Sequence, residues 1–208
     1  MGQIIKFPGQ ASKFGFKRVK KRAKAEDPDQ LHLFPQPGAQ ILELVLELSR
    51  FEQALMLDER GDSKAAGLYE KAIEEGDCVA DAYCNLGIIE SQKGNTTKAF
   101  DCFTTSLKHD PRHSEAHYNL GNLYFDANDF RLAQMHYEMA VEVDPSFPNV
   151  YFNLALVQAI NNDLTAAVVT LTKYQQLVPE VEGRNAEELL STLKQTLAAA
   201  NNPRFGTT

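Results

Sequence analysis

The sequence predicts an all-α fold, a solenoid of about four stacked helix-turn-helix units with a C-terminal capping helix and a disordered basic N-terminal leader. Three observations carry this. One motif returns every 34 residues: Tyr83-Cys-Asn85-Leu86-Gly87, then His117-Tyr-Asn119-Leu120-Gly121, then Tyr151-Phe-Asn153-Leu154-Ala155. A second set keeps the same period, with Ala99, Ala133 and Ala167 later in each unit and Pro111, Pro145 and Pro179 at its close. Turn residues punctuate the middle of the units, Lys93-Gly94-Asn95 and Asn128-Asp129.

The chemistry of these positions explains the repeat. Gly87, Gly121 and Ala155 fall on the first helix of each pair, and Ala99, Ala133 and Ala167 on the second. Small residues at both places let the paired helices approach closely. Phe103, Tyr137 and Leu171 follow the second set by four residues, on the same helical face, and fill the space between helices. The residue before a proline is pushed out of helical geometry, so the second helices should end near Asp110, Asp144 and Val178. A single pair cannot bury its own apolar face, and stacked pairs share a core.

In chain order, residues 1–38 read as a flexible basic leader. It contains Lys13-Phe-Gly-Phe-Lys17-Arg18-Val-Lys20-Lys21-Arg22 and the apolar, proline-rich strip Leu31–Pro37, which could dock on the solenoid or serve as a linear motif. Residues 39–181 form the solenoid. Its first unit, 39–79, is degenerate: an apolar helix over 39–60, a Gly61-Asp62 turn and a second helix Lys64–Glu75 containing Tyr69 and Ala72. Counting back from Tyr69 puts Ala54 one residue out of register as the small position. Regular units follow at 80–113, 114–147 and 148–181, the last opened by Pro148, a residue suited to a first helical turn. Tyr174 stands where a small residue is expected, which suggests packing against the next element. That element is a capping helix within 182–200, with a capping-box-like start at Asn185-Ala-Glu-Glu188 and a Leu189, Leu193, Leu197 face. Residues 201–208 read as a loose tail.

Composition bounds the function. The 208 residues carry a net charge of −7, unevenly distributed. Residues 1–25 hold eight Lys/Arg and no acid, leaving 13 basic against 28 acidic residues in the remainder. Three cysteines without CxxC spacing argue against a disulfide framework or zinc ribbon. No stretch reads as a signal peptide or a membrane span, and a reducing cytoplasm is the expected location. Nucleotide-binding and hydrolase motifs are absent, so neither enzyme activity nor a cofactor is expected. His113 and His117 could share a helical face as a metal pair, but no third ligand stands at a suitable spacing, so no metal site is expected.

The 34-residue pattern of large, Leu-Gly, Ala, aromatic and Pro positions resembles the tetratricopeptide repeat (TPR) family. The resemblance implies a right-handed α-solenoid whose first helices line a concave groove. On that mapping the groove carries Asn85 and Ile88 from one unit, Glu115, Tyr118, Asn119, Asn122 and Phe125 from the next, and Asn149, Phe152, Asn153 and Leu156 from the last. Asn85, Asn119 and Asn153 form a ladder similar to that of superhelical family members that hold extended peptides. An Asn amide offers both a donor and an acceptor, and can pair with any peptide backbone. The groove lacks the basic residues that family members use to clamp a C-terminal carboxylate, which favours a partner with basic or neutral polar character.

The expected function is therefore a non-enzymatic protein-binding adaptor that holds a partner peptide in the groove. The alternative is a nucleic-acid-associated regulator, with Lys17, Arg18, Lys20, Lys21 and Arg22 contacting an anionic partner and the solenoid recruiting protein. For the basic run, the simpler reading is a solvated tail resting on the acidic solenoid of its own chain. Self-association through the convex face or the apolar first helix is a further expectation.

Overall fold

The computed structural model describes residues 13–20 and 48–200. Among them nine helices follow one another: α1 (Arg50–Glu59), α2 (Ala65–Glu75), α3 (Val79–Gln92), α4 (Thr96–His109), α5 (Ser114–Asp126), α6 (Phe130–Val143), α7 (Pro148–Ile160), α8 (Leu164–Leu177) and α9 (Glu180–Ala200). Each packs on its chain neighbours, and α3 also touches α5. This is a nearest-neighbour array with the odd-numbered helices of the pairs side by side.

The helix boundaries follow from local chemistry. Asp129 and Asp163 cap α6 and α8 by accepting the N–H of Leu132 and Ala166. Gly94, Asn128 and Asn162, spaced by 34, turn the chain inside their pairs at φ of +81°, +60° and +66°, a region open to Gly and tolerated by Asn. The second helices end at Asp110, Asp144 and Val178, each just before a proline. Pro148 occupies the first turn of α7.

The close approach inside each pair is measurable. A Cβ on Gly87 would lie 2.7 Å from the Phe103 ring, and one on Gly121 would lie 2.5 Å from the Tyr137 ring. The fourth pair, α7 with α8, uses Ala155 with Leu171, both fully buried. Glycine thus stands opposite an aromatic ring, and alanine opposite leucine. Tyr174 is buried in one cluster with Leu189, Leu190 and Leu193 of α9.

Two boundaries differ from the sequence expectation. The helix expected over 39–60 begins, in its described part, only at Arg50. Ser49 accepts the Glu52 N–H while the Glu52 carboxylate accepts the Ser49 N–H, a complete capping box. Residues 39–47 lie outside the described residues. The capping helix starts at Glu180 rather than Asn185, because the Pro179 carbonyl already accepts from Glu182 and Gly183 and the helix runs on through Asn185. In the first unit Ala54 is fully buried and Gly61 takes the positive-φ position at +69°. Each lies 33 residues before its counterpart, Gly87 or Gly94, so the one-residue offset belongs to the whole first helix.

Candidate functional site

The odd-numbered helices present a concave face, and residues 13–20 of the same chain run along it. The segment forms neither helix nor strand. Its backbone is held by the three asparagines, one residue to each. Phe14 N–H donates to Asn153 Oδ1 at 2.7 Å while Asn153 Nδ2 donates to the Phe14 carbonyl at 3.0 Å. Lys17 makes the same pair with Asn119, at 2.9 Å for both bonds. Val19 makes it with Asn85, at 2.8 and 3.0 Å. The segment passes from α7 across α5 to α3, antiparallel to the order of the repeats.

The carboxamides are fixed from behind. All three asparagines are fully buried, and each must orient its oxygen and nitrogen correctly to meet a backbone. Asn85 Nδ2 also donates to Tyr69 Oη at 3.1 Å, and Tyr69 in turn donates to Asp58 at 3.2 Å. Asn119 Nδ2 lies 3.4 Å from Cys84 Sγ. Asn153 Nδ2 reaches Tyr118 Oη and Asn122 Oδ1 at 3.1 and 3.0 Å, and Tyr137 donates to that same Asn122 oxygen at 2.7 Å. Burial pushes the Tyr69, Tyr118 and Tyr137 phenols well above their ordinary range, so they remain protonated donors. Tyr118 spends its proton on the segment, donating to the Gly15 carbonyl at 2.8 Å.

Side chains of the segment meet matched surroundings. Phe14 packs edge-on against Phe152 with centroids 5.0 Å apart and lies beside Tyr174. Phe16 stacks on Phe103. Val19 is 1% exposed, in a cluster with Cys84, Ile88 and Leu120. Lys13 Nζ lies 3.3 Å from Asp126 and over the Phe125 ring. Lys17 Nζ sits 3.3 Å above the centre of the Phe147 ring, with Glu115 and Asp144 each at 3.9 Å. Arg18 Nε is 2.8 Å from the buried Asp58 carboxylate. Burial raises the Asp58 pKa, and the Arg18 charge and the Tyr69 hydrogen bond pull it part of the way back.

Most residues the sequence pointed to come together here. Asn85, Asn119, Asn153, Tyr118, Ile88, Phe125, Phe152 and Glu115 lie against the segment, and Asn122 stands behind them. Leu156 is buried in the apolar cluster on which Phe14 packs, and Asn149 lies half-buried in the first turn of α7. Lys17 and Arg18 face carboxylates of their own chain, Lys20 is exposed, and Lys21 and Arg22 lie outside the described residues, as does the strip Leu31–Pro37. Phe147, Asp144, Asp58 and Tyr69 are not among the groove residues that the sequence mapping gives. Asp58 becomes visible once the offset of the first helix is applied, since it lies 33 residues before Ser91 and Ser91 lies 34 before Phe125.

The two histidines considered as a metal pair have other partners. His113 Nε2 contacts Asp81 at 2.9 Å, and its Nδ1 accepts the Ala116 N–H. His117 Nε2 contacts the Pro111 carbonyl, and its Nδ1 contacts His136 Nδ1 at 3.1 Å. No group of three or more metal-ligating side chains stands together among the described residues.

Family models described as tetratricopeptide repeat match residues 78–146 and 118–181, together half of the chain. Tetratricopeptide repeat protein 8 of Mus musculus is 31% identical over 119 residues, covering 57% of this chain and 23% of its own length. Tetratricopeptide repeat protein 6 of Homo sapiens is 28% identical over 81 residues, covering 39% of this chain and 16% of its own length. The chain therefore spans less than a quarter of these curated relatives. Among solved structures, the first TPR of Spaghetti (RPAP3) bound to an HSP90 peptide superposes with a TM-score of 0.52 at 23% identity, covering 57% of this chain and 95% of that one. MamA superposes with a TM-score of 0.53 at 16% identity, covering 71% and 95%. At such identities these structures show the fold alone. Among the described residues no helix is long and apolar enough to cross a membrane. The period of 34, the stacked helix pairs and the family matches together establish that the chain belongs to the tetratricopeptide repeat family.

Proposed function

We propose that this chain is a non-enzymatic adaptor whose concave groove holds an extended segment of a partner protein by its backbone, through Asn85, Asn119 and Asn153, and anchors its side chains on Tyr118, Phe125, Phe152 and Ile88. The observation that carries this is the threefold repetition of one device: a buried carboxamide bonding both backbone groups of a single residue. Such a grip is indifferent to side-chain identity and gives the groove a register. The RPAP3 domain of the same fold is bound to an HSP90 peptide, which supports a peptide as the kind of ligand.

The nucleic-acid reading would require Lys17 and Arg18 to leave Glu115, Asp144 and Asp58, and no feature of the groove favours it. The adaptor reading is tested by selecting displayed peptides on the full chain carrying Phe14→Asp and Val19→Asp, which dislodge the segment. The same selection is run with Asn85→Ala, Asn119→Ala and Asn153→Ala added. Peptides that enrich on the first protein alone support a backbone-gripping groove; equal enrichment on both contradicts it.

A further inference from the structure

The segment in the groove carries information about what else the groove accepts. Three cations enter it at separate points, and each meets a carboxylate: Lys13 at Asp126, Lys17 at Glu115 and Asp144, Arg18 at Asp58. The last is the most demanding, because Asp58 is only 5% exposed and a buried carboxylate without a cation is costly. Lys17 lies both over the Phe147 ring and between two acids, a setting suited to an ammonium group. Between these cations, Phe14 and Phe16 fit against Phe152 and Phe103. The ladder holds any backbone, so these side-chain places decide which segment is held.

The segment is also covalently joined to the groove it occupies. Residues 21–47 separate it from the start of the solenoid, a stretch able to extend to about 90 Å. A free peptide therefore competes with an occupant on the same chain.

We propose that Lys13–Lys20 is an exchangeable occupant of the groove, and that the partner is a protein segment of the same chemistry which must displace it. Such a partner places an aromatic residue at the Asn153 rung, a lysine at the Asn119 rung over Phe147, and an arginine next to the Asn85 rung against Asp58. This rests on the adaptor reading above and adds to it the class of partner and the competition that gates its entry.

The test uses a fluorescein-labelled peptide of sequence KFGFKRVK and a neutral counterpart in which glutamine replaces every lysine and arginine. Each is titrated into the full wild-type chain and into the full chain carrying Phe14→Asp and Val19→Asp, with Lys17→Glu and Arg18→Glu as a second opened variant. Circular dichroism verifies the helical content of all three. The proposal expects the basic peptide to bind the opened chains at least ~10-fold more tightly than wild type, and about 10-fold more tightly than the neutral peptide. Equal affinity for wild-type and opened chains would show that the segment does not occupy the groove. Equal binding of both peptides to the opened chains, abolished by the three Asn→Ala changes, would overturn the basic partner and leave the adaptor reading standing. Binding that survives the three changes would overturn the adaptor reading itself. A wild-type dimer that dissociates on opening would overturn the intramolecular arrangement and assign the groove to a second copy.

Discussion

Asn119 holds both backbone groups of Lys17, its oxygen accepting the N–H and its nitrogen donating to the carbonyl, each at 2.9 Å. The asparagine acts as a one-residue strand partner, and the residue it grips lies 102 positions away. Asn119→Ala removes both bonds and leaves partly buried backbone groups unpaired, which should weaken docking of the segment by about 1–2 kcal/mol. Limited trypsin digestion reports this directly, because Lys17 and Arg18 are cleavage sites only when the segment is out. Cleavage there should accelerate about tenfold, in proportion to the open population, while cleavage within the helices is unchanged.

Gly87 and Phe103 form a matched pair, as do Gly121 and Tyr137, while Ala155 faces Leu171. Gly87→Ala drives a methyl group into the Phe103 ring at 2.7 Å. Overpacking of this kind costs about 1–3 kcal/mol, offset by up to about 1 kcal/mol of helix propensity. The Ala–Leu pair of the last repeat predicts the remedy. In a double-mutant cycle with Phe103→Leu, urea denaturation should show a favourable coupling of about 1 kcal/mol or more. Additive losses would mean that the close approach is not what demands glycine.

The His117–His136 contact predicts an acid-sensitive stability. His117 Nε2–H donates to the Pro111 carbonyl, so its Nδ1 accepts and His136 Nδ1–H is the donor. Burial lowers both imidazoles, and His136 falls from 6.5 to about 4. Between these values the unfolded chain binds more protons than the folded one. Stability should therefore be full above pH 6.5 and decline as the pH falls toward about 4. His136→Gln keeps a donor for His117 but removes this titration. Its melting temperature should drop less than that of the wild type between neutral pH and the lower end of this window.

The repeat architecture was legible because its signals are local and periodic: Gly87 and Gly121 for close approach, Gly94 and Asn128 for the turns, and the residues before Pro111, Pro145 and Pro179 for the helix ends. The recurrence of Asn85, Asn119 and Asn153 was legible for the same reason, as one residue type at a period of 34. Its occupant was not. Pairing Val19 with Asn85 or Phe14 with Asn153 joins positions 66 and 139 residues apart, and no periodicity links a basic leader to a groove. The excess of acid in the solenoid suggested only that the leader could rest on it. The start of α9 was missed for a different reason: Asn185 looked like a cap, but Pro179 supplies the first helical carbonyl six residues earlier. His136 lacked a signal because its partner His117 is fixed by packing between α5 and α6.

Amide hydrogen exchange on the full chain reads the grip of the three asparagines on the backbone of residues 13–20. The amides of Phe14, Lys17 and Val19 should exchange more slowly than those of Gly15 and Phe16, and Asn85→Ala, Asn119→Ala and Asn153→Ala together should abolish the difference. Exchange of all five amides at the rate of an unstructured chain in the wild-type protein would contradict it.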